Sequence, residues 1–259
     1  MKITLAKTQI LLLATGLMMM PVVHALEIPA TLHWSKRVEL STPVSGVIKA
    51  INIDVGQRVK KDTVLVSLDA RGFRAAQDKA RASVKHLKED WLEAKRERDR
   101  AQELYDRTVL SDHDLQVAKN ALISAKSAYE TAKAELVQAE LNLEYSSLRA
   151  PFDAIVLKRK AEVGQTVVSE LKPEIMVVIA AARQMIARGY IAASYLNGEI
   201  HGQSATVNVD GLDYEGKVKH VGLEPIKQDK QGIQYEIEIV FTTGQRTLRA
   251  GQQAIIKLP

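Results

Sequence analysis

Residues 38–68 alternate apolar and polar positions. Val47, Ile51, Ile53, Val55, Val59, Val64, Val66 and Leu68 favour strands. Turn signals interrupt them at Pro43-Val44-Ser45-Gly46, Asp54-Val55-Gly56 and Lys60-Lys61-Asp62. The pattern predicts short strands joined by tight turns. Gly46 and Gly56 are expected to supply a positive φ or a close backbone approach.

From about Ala70 the period changes. Residues 70–108 hold no proline and, after Gly72, no glycine, and are rich in Ala, Lys, Arg, Glu, Asp and Leu. That composition favours helix. One heptad row runs Phe73, Ala80, Leu87, Ala94, Ala101, and a second adds Val84, Trp91 and Tyr105 but is broken by Arg98. Asp69 is positioned to cap the start, with Leu68 stapled on Phe73. A second helical stretch carries a cleaner seam. Leu115, Leu122, Tyr129, Leu136 and Leu143 fall seven apart, and Ala118, Ala125, Ala132 and Ala139 follow three later. This is an a/d pattern in which alanine permits close helix approach. Between the stretches lies "TVLSDHD", where Ser111 can cap the second helix with Asp114 three residues on and Leu110 can staple to Leu115. Two long helices joined by so short a turn run antiparallel. At 1.5 Å rise per residue each arm is about 50–55 Å long.

After Glu144 the strand pattern returns. "PFDAIVLKRKAEVGQTV" at 151–167 repeats "PVSGVIKAINIDVGQRV" at 43–59, with Val-Gly-Gln-x-Val at the same offset as the prolines. "IMVVI" at 175–179 then echoes "VLVSL" at 64–68. The two copies read as halves of one small β-domain, with the helical hairpin inserted at the turn between them. From 181 to 259 further short strands with Gly-rich turns indicate a small β-barrel.

Composition adds the setting. The 259 residues suffice for one large or two to three small domains, and 26% charged residues suit folding in water. The net charge of +5 is too small and too mixed for a nucleic-acid surface. The absence of cysteine excludes disulfides, thiolate metal sites, a cysteine nucleophile and a lipidated N-terminal cysteine. Residues 1–25 read as a cleaved export signal. Lys2 and Lys7 are followed by the apolar run Ile10–Met20 and by Val23-His24-Ala25 before Leu26. An uncleaved inner-membrane anchor is the alternative, and both readings put the bulk of the chain outside the cytoplasm.

The order signal, β-half, α-hairpin, β-half, β-barrel resembles the periplasmic adaptors, or membrane fusion proteins (HlyD-like), of tripartite efflux pumps. "PVSGVIKAINIDVGQRVKKDTVLVSLD", "LRAPFDAIVLKRKAEVGQTV" and "LRAGQQAIIKL" carry the likeness, which covers nearly all of 38–259. It implies an α+β fold: a lipoyl-like β-sandwich in two halves (38–69 and 146–180), an inserted coiled-coil hairpin (70–145) and a β-barrel (181–259). A membrane-proximal domain, common in relatives, is expected to be absent or vestigial. The family often has glycine where this chain has Asp62 and Ala154, which implies altered turns there.

The resemblance also implies partners: an inner-membrane transporter, an outer-membrane channel protein, and further copies in a trimeric or hexameric ring. The resistance-nodulation-division type of transporter is favoured, with an ABC transporter for export or secretion as the alternative. Near the hairpin turn, Arg100, Leu104 and Ser111 match the family spacing for channel docking. Arg would donate a fork of hydrogen bonds, Leu would be an apolar anchor, and Ser a short polar contact. Read without the family, Ser111 is simply a cap, Leu104 a seam residue and Arg100 part of a solvated charge run.

No enzymatic chemistry emerges from the rest. No lysine occupies the turn Asp69-Ala70-Arg71, where a lipoyl carrier would present one, so no lipoyl or biotinyl cofactor is expected. The histidines form no ligand-spaced cluster and the methionines beyond residue 25 are few, so no metal is expected. No catalytic carboxylate pair, Ser-His-Asp set or phosphate loop stands out. A structural coiled-coil protein of the envelope with no transporter partner remains the alternative of a different class.

Overall fold

The computed structural model describes residues 26–169, 173–196, 198, 200–229 and 232–259. The export signal expected at 1–25 lies outside the described residues. The elements run β1 (Leu26–Trp34), β2 (Arg37–Leu40), β3 (Gly46–Ile51), β4 (Arg58–Val59), β5 (Val64–Leu68), α1 (Arg71–Asp106), α2 (Asp112–Tyr145), β6 (Ser147–Arg149), β7 (Ala154–Arg159), β8 (Thr166–Val167), β9 (Val177–Ala181), β10 (Gln184–Ala192), a short 3-10 turn, β11 (Ser204–Val209), β12 (Leu212–Asp229), β13 (Gly232–Thr242) and β14 (Gln253–Leu258). Among the described residues no helix is long and apolar enough to cross a membrane. The chain divides into two units. One holds Leu32–Ile186 with Val240–Gln252, and the other holds Ala187–Ile239, Gln253–Pro259 and the chain up to Thr31.

The first unit contains two four-stranded sheets, ordered β2-β9-β7-β4 and β6-β5-β3-β8. Each sheet takes two strands from before the hairpin and two from after it. The repeated sequence explains why. Gly56 and Gly164 have φ of 87° and 88°, a left-handed turn geometry that glycine adopts freely. The amide of Gly56 donates to the Val156 carbonyl, and the Val156 amide donates back to Gln57 O. In the other copy Gly164 donates to Ile48 O and Ile48 donates to Gln165 O. Within each turn the glutamine side chain accepts the amide three residues earlier, Asp54 for Gln57 and Glu162 for Gln165. Each copy's turn is thus bonded to the other copy's strand. Behind these bonds Ile48, Leu65, Val66 and Leu68 pack with Val156, Val167, Val177 and Ile179 in one buried cluster. Met176 and Met185 are core residues, 2% and 1% exposed.

The hairpin leaves and re-enters this core at one place. Leu68 N–H donates to Ser146 O, and Thr42 Oγ1 donates to Tyr145 O. Gly46 supplies a close approach instead of a positive φ, since a Cβ there would sit 3.2 Å from Leu68 Cδ1. Asp62 adopts φ 65°, so the turn keeps the left-handed geometry that a glycine would have given it. Ala154 is not in a turn: it opens β7, is fully buried and pairs with Val59. The expectation of an altered turn there is corrected by its place in the sheet.

The second unit is built on a closed barrel ordered β1-β10-β13-β12-β11-β14. Strand β1, which the sequence pattern left unassigned ahead of residue 38, pairs antiparallel with β14 from Leu26↔Leu258 to Thr31↔Gln253. Alternation is clean: Ile28 and Ala30, Ala205, Val207 and Val209, and Ala254, Ile256 and Leu258 point inward. Gly189 is required by proximity, because a Cβ there would lie 2.8 Å from Pro29 O. On the barrel wall Glu238, 7% exposed, accepts from Arg188 Nη2 at 2.7 Å and from Lys219 Nζ at 3.3 Å. Burial pushes its carboxyl pKa up, but the hydrogen bonds and charges of Arg188 and Lys219 outweigh burial and hold it below the usual range.

Two expectations follow. Gly189→Ala forces a backbone shift between β1 and β10 and destabilises by about 1–3 kcal/mol, read by urea unfolding. Because the Glu238 pKa is depressed in the fold, its contribution is present above the unfolded carboxylate value and is lost as pH falls through the folded value. Glu238→Gln therefore costs about 1–3 kcal/mol at neutral pH. It also shows a smaller loss of unfolding temperature than the wild type on acidification.

Candidate hairpin tip and seam

At the base of the hairpin the Arg71 amide donates to Asp69 Oδ1, and the Arg71 guanidinium grips the same carboxylate through Nε and Nη2. These hydrogen bonds hold the Asp69 pKa down to about 2. The N-cap position itself is Ala70, which has no side-chain cap, so Asp69 caps from one residue outside. Phe73 packs on the cluster containing Leu68, as the staple requires.

Along the arm the seam residues of α2 face α1. Leu115 is buried, Leu122, Tyr129, Leu136 and Leu143 are half-buried, and Ala132 and Ala139 are buried. No residue of α1 is fully buried, since the pair is only two helices thick. Trp91 stacks on Tyr129 with ring centroids 5.4 Å apart and planes 6° apart, a contact that pins the register of the helices. Arg98 interrupts the α1 row as the sequence suggested: it is half-buried, pairs with Asp99 at 2.8 Å, and its Nε is buried without a hydrogen-bond partner among the described residues.

At the tip α1 ends in a left-handed turn. Thr108 N–H donates to Tyr105 O and Val109 N–H to Leu104 O, closing the last carbonyls. The turn needs a positive φ, and it is Thr108, at 61°, that adopts it. A β-branched residue there is uncommon and strained. Val109 stands 72% exposed instead of folding back over the helix end. Ser111 then caps α2: its Oγ accepts the Asp114 amide at 3.2 Å and donates to Asp114 Oδ2 at 2.6 Å. Across the turn Tyr105 hydrogen-bonds Asp112, whose bond and negative charge raise the phenol pKa.

Arg100 and Leu104 lie one helical turn apart on α1. Arg100 is exposed and bonds Glu97 Oε1 at 2.7 Å, an exposed pair of small energetic weight that leaves the guanidinium free to exchange partners. Leu104 is half-buried. Ser111 has its hydroxyl engaged in the cap. Thr108, Val109 and the Tyr105–Asp112 bond were missed by sequence reasoning. The only available signal was that "TVL" contains no glycine where a left-handed turn is needed. Among the described residues no three His, Asp or Glu side chains are grouped to hold a metal.

Comparison with known proteins agrees with this architecture. The CzcB-like, barrel-sandwich hybrid domain family matches residues 36–180. The chain is 28% identical over 147 residues to the efflux pump periplasmic linker BepD of Brucella suis biovar 1, covering 54% of this chain and 37% of BepD. It is 24% identical over 186 residues to the cobalt-zinc-cadmium resistance protein CzcB of Cupriavidus metallidurans, covering 69% and 34%. The chain thus spans about a third of the length of these curated relatives. The structure of the membrane fusion protein Spr0693 from Streptococcus pneumoniae R6 shares the fold, with TM-score 0.67 at 18% identity, covering 90% of this chain and 98% of that one. The interleaved β-halves, the inserted hairpin and the family match over 36–180 together show that the chain belongs to the CzcB-like, barrel-sandwich hybrid domain family.

Proposed function

We propose that the chain is a non-enzymatic periplasmic adaptor. It links an inner-membrane transporter to an outer-membrane channel in a tripartite efflux system. The carrying observation is the insertion of a 36-residue and a 34-residue helix between two strands that are bonded to each other at the hairpin base. Such an insertion holds a tip about 50 Å away from a folded domain and contributes reach instead of chemistry. The names of BepD and CzcB support the same reading.

In this reading the channel meets the tip through Arg100, Leu104 and Ser111, with the transporter supplying the work. A resistance-nodulation-division transporter is the favoured partner and an ABC transporter the alternative. Copies of the chain stand side by side in a trimeric or hexameric ring. The α2 surface supports lateral packing. Val117, Ile123 and Val137 are 54%, 65% and 54% exposed. Ile123 borders an open groove of about 890 Å³ lined largely by small uncharged side chains such as Ser83, Ser124, Ala128 and Thr131. An export signal at residues 1–25 would deliver the chain to the periplasm.

The test is capture in the native envelope, with one photocrosslinker at Leu104 and another at Tyr214. The tip is expected to take an outer-membrane channel protein, and the barrel an inner-membrane transporter whose class is then known. Arg100→Asp is expected to abolish tip capture with unchanged thermal unfolding, because the residue is exposed. Capture of no membrane protein at either position overturns the reading in favour of a structural envelope protein.

A further inference from the structure

The residues around Phe152 form a cup for which the adaptor reading has no use. Four turns and one strand end meet there, all inside the unit that contains the two sheets. Hydrogen bonds fix each of them. Ala181 N–H donates to Lys36 O at 3.0 Å, Ala182 N–H to Asp153 O at 3.0 Å, and Thr243 N–H to Arg183 O at 2.9 Å. Lys61 N–H donates to Asp153 Oδ1 at 2.9 Å, and Ser35 Oγ donates to Gln184 O at 2.9 Å. The floor is Phe152, half-buried against the core cluster, and Ala181 and Ala182 leave room above it. The concavity is open to solvent and holds about 450 Å³, within the size range of small-molecule sites.

The charge lining this space is one-sided. Lys36, Lys61 and Arg183 border it, and Asp153 is the sole acid of the lining. Lys36 Nζ stands 5.7 Å over the Phe152 ring. Among the described residues none of the three cations makes an ion pair; Lys36 and Lys61 share this with most lysines of the chain, whereas Arg183 differs from most of its other arginines. Asp153 already has one oxygen committed to the Lys61 backbone. A concavity with fixed walls and three cations against one acid concentrates anions.

We propose that this cup binds a small multivalent anion, a di- or tricarboxylate or a phosphate ester or anhydride, between Lys36, Lys61 and Arg183. Arg183 offers a planar fork suited to a carboxylate or phosphate. The two ammonium groups act as point charges, so a monovalent anion leaves the cup under-neutralised. All three side chains are exposed, and affinity therefore falls as ionic strength rises.

Titration calorimetry on the purified chain at fixed ionic strength tests this, with citrate and pyrophosphate as probes and acetate as the monovalent control. Saturable binding with one site per chain is expected for at least one multivalent probe and not for acetate. Citrate alone identifies the carboxylate class and pyrophosphate alone the phosphate class. Lys61→Gln combined with Arg183→Gln is expected to weaken binding at least about tenfold without moving the unfolding temperature of the free protein. Lys88→Gln, on the outer face of α1, is expected to change nothing. No saturable binding of either multivalent probe, or equal binding by the double variant, overturns the proposal.

Discussion

Two Val-Gly-Gln turns hold each other's strands. Gly56 and Gln57 bond Val156, and Gly164 and Gln165 bond Ile48, in the same geometry on both sides. Each copy keeps one strand pair of its own, β3 with β5 and β7 with β9, but neither sheet is complete without the other copy, because each draws strands from both. A short half-domain cannot bury enough apolar surface by itself. The pairing therefore brings residues 68 and 146 together whatever lies between them. That is why a long insertion is tolerated: its ends are already fixed, and closure entropy grows only slowly with length.

The hairpin then has to stand on local forces. α1 buries no residue fully, and α2 buries Leu115, Ala132 and Ala139. What remains is helix propensity, alanine-mediated close approach, the Trp91–Tyr129 stack midway, and firm ends. The base is held by Asp69 with Arg71 and by Thr42 on Tyr145. The tip is held by the Ser111 cap and by Tyr105 on Asp112. A long, thin arm with ordered ends and little core suits a part that transmits position. The strained Thr108 and exposed Val109 sit where such an arm would meet a partner.

Much of this was legible in the sequence because the signals were periodic. The heptads of Leu115 to Leu143, the repeat of Val-Gly-Gln and the Ser111–Asp114 cap each state a local geometry directly. What was not legible depended on long-range context. Leu26–Trp34 alternates apolar and polar positions but carries a proline, and its role as a barrel strand comes from pairing with β14 at the far end of the chain. Asp62 and Ala154 were both read as departures from glycine. One keeps the left-handed turn and the other is a buried strand residue, a difference that residue identity alone does not carry. At the tip, spacing singled out Arg100, Leu104 and Ser111 but could not reveal that the Ser111 hydroxyl is engaged or that Thr108 adopts a positive φ. The cup around Phe152 was invisible because its residues come from five separate segments.

The central claim is that the two copies stabilise one another as a single unit. Hydrogen exchange at the Ile48 and Val156 amides measures this most directly, in the wild type and in Gly164→Val. Valine at φ 88° costs about 1–2 kcal/mol, which corresponds to about tenfold faster exchange. The account predicts equal protection of the two amides in the wild type, and an equal loss at both in the variant although only one turn was changed. Faster exchange at Ile48 with Val156 protected as before would show that the turns act independently, and would contradict the account.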